Sequence, residues 1–432
     1  MDKVRKVSFD ALIKNDTSQS FSNIEINTVI SREKFSDKDT ALFTAIYMGV
    51  LEYRMTLDYV ISKYSNIPLE KIDIETKNAL RIGLYQLIYL DRIPDYSAIN
   101  ESVDLCARRS KGFVNAVLRS FVRNGKELRL PTDKRQRVCI ENSVPHEISD
   151  IFLKSYGESR AYELISYHSK QDICIRVNTV LCDADLVLSE LKKRKIHADV
   201  SHFSKDVIKI HAPISKIKDL IDAGHIFIQD EASRCAVLVL DPKENEKIAD
   251  VCACSGGKTF SCAIQMKNKG EILASDLHAN KLSLVEKGAD RLGLEIIKAK
   301  AQNAKEHIAE YEGKFDRVLC DVPCSGLGVI FKKPDIKYKS TEQINALPEI
   351  QSQILSNCSS YVKNGGVLVY STCTLNRAEN EDNVLRFLEK NKDFKPVDFE
   401  IADIKSQHGM YTFFPDKTGT DGFFVAKMKR VR

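Results

Sequence analysis

The sequence predicts a multidomain chain with an all-α bundle at the front, a small α+β region and a C-terminal α/β domain of the Rossmann-like, doubly wound class. Three observations predict it: helical spacing of apolar residues over roughly the first 130 positions, mixed spacing in the middle, and strands alternating with helices from Asp241 onward. A length of 432 residues also exceeds one typical domain. We therefore expect domains at residues 1–135, 140–235 and 236–432.

The front region shows its helical spacing most clearly at residues 40–51 and 79–88. A last amphipathic stretch covers 99–122, and we expect Gly112 to interrupt it. Residues 125–133 are basic and poor in apolar side chains, which indicates a linker.

The rest of the chain alternates between the two spacings. In the middle region we predict strands at 173–178 and 207–210 around a helix at 184–194. Two apolar runs in the tail, 410–429, flank a turn signal and predict a hairpin of antiparallel edge strands. For the α/β domain we predict strands 247–253, 271–275, 315–321 and 367–371, and helices 258–267, 280–292, 341–362 and 381–389.

The net charge of +5 is modest but unevenly distributed. Between Arg108 and Arg137 there are ten Lys or Arg residues against two acidic ones, which predicts a polyanionic partner. No apolar run approaches the roughly 20 residues of a bilayer span, and the N-terminal residues lack a secretory pattern. We expect a cytoplasmic protein with no membrane partner.

The 12 cysteines include no Cys-x-x-Cys pair. Zinc sites usually show closely spaced pairs of ligands, so we expect no metal. Most of these thiols are expected to pack as small apolar side chains, including Cys252, Cys254, Cys262, Cys320 and Cys358.

Two cysteines differ because each follows a predicted strand. Cys324 lies in Asp321-Val-Pro-Cys-Ser-Gly, and Cys373 lies in Tyr-Ser-Thr-Cys-Thr. Ligands of open α/β sheets bind at the carboxyl ends of the strands. Two thiols and the Asp321 carboxylate at that edge predict covalent catalysis.

A glycine-containing loop, Asp-Val-Cys-Ala-Cys-Ser-Gly-Gly-Lys-Thr at 250–259, joins the first strand of this domain to its first helix. Gly256 and Gly257 allow a ligand to approach the backbone, and the helix start offers N–H groups. Asp276 ends the second strand, where doubly wound folds place an acid on ribose hydroxyls, although Asp is also a good helix N-cap. Neither G-x-G-x-x-G nor a Walker A pattern is present. An adenosine ligand with little or no phosphate, such as S-adenosylmethionine, is favoured.

Together, segments 250–259, 321–328 and 370–375 resemble the RNA 5-methylcytosine methyltransferases of the Sun/Fmu group. Segments 99–103 and 113–119 resemble the NusB-like RNA-binding domain of the bacterial members, and 331–338 and 420–424 are also similar to that group. The resemblance covers essentially the whole chain. It implies an S-adenosylmethionine-dependent enzyme that methylates carbon 5 of a cytosine in 16S ribosomal RNA, and we expect a monomer.

The resemblance also implies residue roles. Cys373 attacks carbon 6 of the base, Asp321 engages N3 and the exocyclic amine, and Cys324 assists release of the product. Because only a thiolate attacks efficiently, Cys373 is expected where local charge lowers its pKa. The implied cofactor-binding residues are Cys252, Ala253, Cys254, Ser255, Gly256, Gly257, Lys258, Asp276, Asn303 and Asp321.

Two positions depart from the family pattern. The loop usually reads Ala-Ala-Pro-Gly-Gly-Lys-Thr, whereas Cys254 and Ser255 replace the second Ala and the Pro. Asn303 stands where an aspartate is expected to bond the adenine amine. Its carbonyl oxygen still accepts a hydrogen bond, but loss of the charge is expected to weaken cofactor affinity.

Contact with RNA requires the target base to be unpaired or flipped out. Four lysines follow the Asp321 motif and are candidates for holding the RNA backbone, the alternative being a solvated loop. Arg176 and Asn178 match a family segment that borders the site. The four lysines are Lys332, Lys333, Lys337 and Lys339.

Two other hypotheses stay open. Ser255 and Asn303 motivate a non-catalytic NusB-like RNA-binding protein with a vestigial methyltransferase domain. A DNA cytosine-5 methyltransferase would also use a Pro-Cys thiol, in which case Cys324 attacks and Cys373 is unnecessary.

Overall fold

A computed structural model describes residues 2–18, 22–168 and 172–432. The chain divides into two compact units, one formed by Met1–Ser166 and Ile330–Lys339 and the other by Tyr167–Val329 and Ser340–Arg432. The domain boundaries predicted from sequence stay a prediction. The compact units divide the chain elsewhere, because residues 140–166 and a short segment of the C-terminal half join the helical front.

The first unit is helical, and the buried apolar side chains between residues 4 and 121 form one core that includes Phe43, Leu80 and Leu118. Several helices begin at a capping side chain, as where Ser36 and Asp73 accept the N–H groups of Asp39 and Thr76. Its helices are α1 Lys3–Ser18, α2 Ser22–Glu33, α3 Asp37–Glu52, α4 Arg54–Tyr64, α5 Ile74–Tyr89, α6 Asp95–Leu105, α7 Arg108–Arg123, α8 Lys134–Glu141, α9 His146–Tyr156 and α10 Glu158–Ser166.

The predicted interruption at Gly112 is wrong. The break between α6 and α7 falls at Cys106 and Ala107, and Gly112 lies within α7. Glycine costs a helix about 1 kcal/mol relative to alanine. Packing of the apolar face of α7, which buries Val117 and Phe121, outweighs that cost.

The segment Ile330–Lys339 belongs to the helical unit through Lys337. This side chain is 1% exposed, and its Nζ donates to the backbone oxygens of Glu52 and Asn142, both at 3.3 Å. Burial lowers the pKa of Lys337 to about 8, against the opposing effect of Glu52. The prediction that Lys337 holds RNA backbone is therefore wrong, because its ammonium group faces the interior of this unit.

The second unit contains a four-stranded antiparallel sheet in the order β2-β3-β1-β4. Arg176 and Asn178 are buried here and join chain segments: Arg176 pairs with Asp206, and Asn178 donates to the carbonyl oxygens of Gly224 and Leu292. They serve packing in this region. Its elements are β1 Ile173–Val177, α11 Ala184–Lys193, β2 Ala198–Val200, β3 Val207–Ile210, α12 Lys218–Asp222 and β4 Ile226–Ile228.

An eight-stranded sheet in the order β10-β14-β9-β8-β5-β6-β7 forms the rest of this unit, with β13 also paired to β14. The strands from β9 to β7 are parallel. Its elements are α13 Glu231–Leu240, β5 Lys247–Asp250, α14 Gly257–Gln265, β6 Glu271–Asp276, α15 Ala279–Leu292, β7 Ile297–Ala301, β8 Phe315–Asp321, α16 Thr341–Ser359, β9 Val362–Thr372, α17 Glu381–Lys390, β10 Phe394–Pro396, β11 Glu400–Ile401, β12 Ile404–Lys405, β13 Met410–Phe413, α18 Pro415–Thr418 and β14 Phe423–Arg430.

Both faces of the large sheet are buried, which is expected of parallel strands. In β8, Leu319 packs into one apolar cluster while Val318 and Cys320 pack into another. The predicted tail hairpin is confirmed, since β13 and β14 pair antiparallel. However, β14 is not an edge strand, because it also pairs with β9. No helix in the described part of the chain combines the length and apolarity that a bilayer crossing requires.

Candidate active site

The ends of β8 and β9 bring the two cysteine motifs together. Asp321 lies opposite Ser371 in the parallel register, so the residues that follow each strand share one edge of the sheet. The Sγ atoms of Cys324 and Cys373 are 3.3 Å apart, and both side chains are half-buried. The carboxylate and the two thiols singled out in the sequence therefore form one cluster.

Asp321 is held by two donors. Its Oδ1 accepts the Ser371 hydroxyl at 2.7 Å, and its Oδ2 accepts the Lys258 ammonium group at 2.6 Å. Lys258 also donates to Ser233 Oγ at 3.2 Å. Burial would lower the pKa of Lys258, but the attraction of Asp321 outweighs it and the pKa lies above its usual value. Lys258, predicted as part of the cofactor loop, thus also reaches the thiol cluster.

The two thiols have different electrostatic surroundings. Cys373 is among the groups that raise the pKa of Lys258, so the ammonium group favours a Cys373 thiolate. The pKa of Cys324 lies well above its usual value. The contact with Cys373 is the largest cause, followed by burial and then by the carboxylates of Glu379 and Asp321. Cys324 therefore keeps its proton at neutral pH.

The loop between β5 and α14 has a backbone that only glycine adopts readily at one point. Gly256 has a φ of 99°, and a Cβ there would lie 2.3 Å from the Phe260 ring. Asp276 links this loop to the end of β6, because its carboxylate accepts the N–H groups of Cys254 at 3.3 Å and His278 at 3.0 Å. Ser255 is exposed in the same loop.

Asp250, at the end of β5, is a buried carboxyl group behind the loop. Its Oδ2 accepts the Thr259 hydroxyl at 2.6 Å, and Oδ1 has no partner among the described atoms. Burial raises the pKa of Asp250 to about 7, opposed by Thr259 and reinforced by Asp321. Asp250 therefore keeps its proton to a higher pH than an exposed aspartate does.

The remaining predicted cofactor residues lie at the same edge. Ala253 donates its N–H to the Ser275 carbonyl oxygen at 2.9 Å, which joins β5 to β6, and Cys252 is a partly buried thiol packed against the sheet core. Asn303 follows β7; its Oδ1 accepts from Lys305 N–H at 3.2 Å and its Nδ2 donates to Glu306 Oε1 at 2.8 Å. Carboxylate, amide and open helix N–H groups at three successive strand ends fit an adenosine ligand.

Three exposed side chains near β2 and β3 could also offer metal ligands. The ligand atoms of His197, Asp199 and His211 lie within 4.8 Å of one another. Exposed polar groups often cluster in this way without an ion. The absence of a metal stays a prediction.

Sequence reasoning missed three side chains that support the site: Ser371, Gln351 and Glu379. The Ser371 hydroxyl donates a hydrogen bond to Asp321. Gln351 donates to Glu379, and Glu379 accepts the N–H of Ser325 in the turn that carries Cys324. They lie 28 to 54 residues from the groups they hold. Only Glu379 carried a signal, as an acidic residue soon after Cys373.

Comparison with known proteins matches both parts of the chain. Residues 237–429 match the family model of the 16S rRNA methyltransferase RsmB/F, and residues 2–123 match the NusB family. The probable ribosomal RNA small subunit methyltransferase B of Bacillus subtilis is 36% identical over 99% of this chain and 98% of its own length. The protein of the same name from Synechocystis is 30% identical over 100% of both.

The chain belongs to the RsmB/F family of 16S rRNA methyltransferases. The resemblance read from the sequence is thereby confirmed, together with the NusB domain, the Rossmann-like fold and S-adenosylmethionine as the cofactor of the family. A crystal structure named PH0851 shares the fold at a TM-score of 0.84, with 24% identity over 100% of this chain and 99% of its own. A methyltransferase homolog from Pyrococcus horikoshii has a TM-score of 0.60 and 26% identity over 69% of this chain and 100% of its own.

Proposed function

We propose that this protein methylates carbon 5 of a cytosine in small-subunit ribosomal RNA through a covalent bond between Cys373 and carbon 6 of the base. The observation that carries the proposal is the cluster of Asp321, Cys324, Cys373 and Lys258 at the ends of β8 and β9. Two thiols with unlike surroundings beside a fixed carboxylate suit a reaction that both forms and breaks a carbon–sulfur bond.

In this scheme Cys373 attacks as the thiolate, which the nearby Lys258 ammonium group favours. The new bond from Sγ to carbon 6 pushes electrons toward N3, and N3 takes up a proton delivered through the Asp321 carboxyl group, to which the Lys258 ammonium group donates. Carbon 5 is then nucleophilic, and bound S-adenosylmethionine supplies the methyl group. The carbon 5 proton is then lost to solvent, the bond to Cys373 breaks with its electron pair returning to sulfur, and N3 gives up its proton, which restores the aromatic ring. Cys324 would assist that release, and the 3.3 Å distance from its Sγ to the attacking sulfur supports this role.

The cofactor would lie along the ends of β5, β6 and β7. Residues 252–258 would surround it with the loop backbone and the first turn of α14. Asp276 would face the ribose hydroxyls, and Asn303 would accept from the adenine amine through the second lone pair of Oδ1. Asp321 would border the reacting end.

The RNA would dock in part on α7 of the helical unit. Arg108, Arg109, Arg119 and Arg123 are exposed along this helix, and Arg side chains bind phosphates well. Half of the basic residues in the stretch from Arg108 to Arg137 instead pair with acids, which concentrates the available charge on α7. These pairs are Lys111–Asp104, Lys126–Asp95, Lys134–Glu158, Arg135–Asp150 and Arg137–Glu141.

The test is to incubate the protein with methyl-labelled S-adenosylmethionine and small-subunit rRNA and to map labelled positions. We expect label on carbon 5 of cytosine. Cys324→Ala should accumulate a protein–RNA adduct that survives denaturing electrophoresis, because release fails after attack. Cys373→Ala should form none.

Cys182→Ala is the matched control, since Cys182 is also half-buried but, within the described part of the chain, hydrogen-bonds only to the backbone oxygens of Asn178 and His225. It should behave like the wild-type protein. Absence of labelled cytosine while the cofactor is bound would refute the proposal. An adduct in Cys373→Ala but none in Cys324→Ala would assign the attack to Cys324 instead.

A further inference from the structure

Glu379 is a fully buried carboxylate at the junction of the two thiol-bearing turns. It is 0% exposed. Its Oε2 accepts the N–H of Ser325 at 2.9 Å and the Nε2 of Gln351 at 2.8 Å, and its Oε1 accepts the Nδ2 of Asn376 at 2.9 Å. Burial of a carboxylate is costly unless its oxygens are well satisfied. Here neutral N–H donors on three segments satisfy both oxygens.

Two of the three donors belong to segments that follow a thiol of the site. Ser325 follows Cys324 directly, and Asn376 lies three residues after Cys373. Gln351, on α16, also donates to the carbonyl oxygen of Pro323 at 2.9 Å and so supports the Cys324 turn from its other side.

Three hydroxyl groups complete the junction. Ser325 Oγ and Thr374 Oγ1 are 2.6 Å apart, so the residues that follow the two cysteines bond each other directly. The hydroxyl of Tyr370 donates to the backbone oxygen of Glu379 at 2.6 Å and fixes the backbone that presents the carboxylate. One network of hydrogen bonds thus joins the two turns whose sulfur atoms lie 3.3 Å apart.

The donor set requires a carboxylate at this position. A carboxylate accepts on both oxygens, whereas glutamine offers one accepting oxygen and one NH₂ group. With glutamine at position 379, that NH₂ group would face the NH₂ group of Asn376, and one bond of the junction would be lost. The retained charge also acts on Cys324, whose pKa is raised by Cys373, by burial, and by Glu379 and Asp321.

We propose that Glu379 is a positioning residue of the methyl-transfer site, which holds the turns of Cys324 and Cys373 at contact distance and places a negative charge beside Cys324. The charge favours the thiol form of Cys324, while Lys258 favours the thiolate of Cys373. Glu379 thereby decides which of two adjacent sulfur atoms attacks. This inference rests on the proposed function, because the difference between the thiols matters only for that chemistry.

The first test compares Glu379→Gln with Glu381→Gln. Glu381 lies two residues away and bonds Thr412 at 2.7 Å rather than either thiol turn. Alkylation of Cys324 is followed against pH by peptide mass spectrometry, and turnover is measured on rRNA. In Glu379→Gln we expect the alkylation midpoint of Cys324 to fall by about one pH unit, a shift of the size that surroundings commonly impose. Turnover should fall at least about tenfold. Glu381→Gln should match the wild-type protein in both.

Two further variants separate charge from geometry. Glu379→Asp keeps the charge but shortens the side chain, so the Cys324 midpoint should stay near that of the wild-type protein while turnover falls. Glu379→Gln combined with Asn376→Asp returns a carboxylate to the same hydrogen bond and should restore part of both properties. If thermal melting shows that Glu379→Gln alone does not fold, these two variants still test whether Glu379 controls Cys324 and turnover.

An unchanged Cys324 profile and unchanged turnover in Glu379→Gln would overturn the inference. So would a loss of turnover in every Glu379 variant that tracks melting temperature alone, with no shift at Cys324. Alkylation is measured without RNA or cofactor. If the wild-type protein labels no cytosine, the proposed function fails, whereas the alkylation profiles still report whether Glu379 controls Cys324.

Discussion

Along the carboxyl edge of the large sheet, the ends of β8 and β9 (the thiol edge) differ from the ends of β5 to β7 (the cofactor edge). At the thiol edge the functional side chains bond other side chains: Asp321 contacts Lys258 and Ser371. At the cofactor edge, Asp276 instead accepts the backbone N–H groups of Cys254 and His278. Side chains that take part in bond-making need a fixed orientation, which neighbouring side chains supply. A loop that contacts its ligand through backbone groups tolerates changes of side chain, which is consistent with Ser255 where the family pattern has proline.

The largest expected effect is on turnover, and it comes from a comparison of Asp321 at the thiol edge with Asp276 at the cofactor edge. Asp321→Asn removes the carboxyl group through which, in the proposed mechanism, N3 of the base is protonated, so turnover at saturating cofactor should fall by about 10²- to 10⁴-fold. Asp276→Asn should mainly raise the dissociation constant of the cofactor and leave saturated turnover within a few-fold of the wild-type value. Calorimetric titration and steady-state rates measure the two. Normal saturated turnover in Asp321→Asn would remove the distinction between the edges.

An intermediate effect concerns Asp250, at the end of β5, which is the strand of the cofactor edge that pairs with β8. Its folded pKa of about 7 lies above the usual value near 3.9. The folded state therefore binds more protons, and this group's contribution to stability is lost as pH rises from about 4 to 7, at about 1.4 kcal/mol per unit of pKa shift. Asp250→Asn should lack this loss. Urea unfolding at pH 5 and pH 8 should show that the variant gains stability relative to the wild-type protein at pH 8; an equal difference at both pH values would contradict it.

The smallest expected effect tests the departure at Asn303. Asn303→Asp places a charged acceptor where the adenine amine is expected, but it also faces Glu306, to which Asn303 now donates. The gain in cofactor affinity should therefore be small in the single variant and about two- to tenfold when Glu306→Gln is added, within the range of one charge-assisted hydrogen bond. Isothermal titration compares the two, with Glu306→Gln alone as the control. If neither variant gains cofactor affinity, the expected contact between position 303 and the adenine amine is wrong.

Strands with strong apolar patterns were predictable, and β8 and β3 begin and end where the sequence placed them. The edge strand β7 was missed, because it is short, mostly exposed and contains Lys298 and Lys300. The position of the break between α6 and α7 was predicted wrongly, because packing of the apolar face of α7 keeps Gly112 within the helix. The pairing of Lys258 with Asp321 and the reach of Glu379 were not predictable, because they depend on contacts between segments 63 and 54 residues apart.

The short segment Ile330–Lys339 has a consequence for protein synthesis. Ribosomes release a chain from its N-terminus, and domains generally fold in that order. The carbonyl oxygens of Glu52 and Asn142 receive their Lys337 donor only after most of the chain has emerged. The helical unit, although it comes first in sequence, is therefore completed only after β8 and the Asp321 motif have been translated.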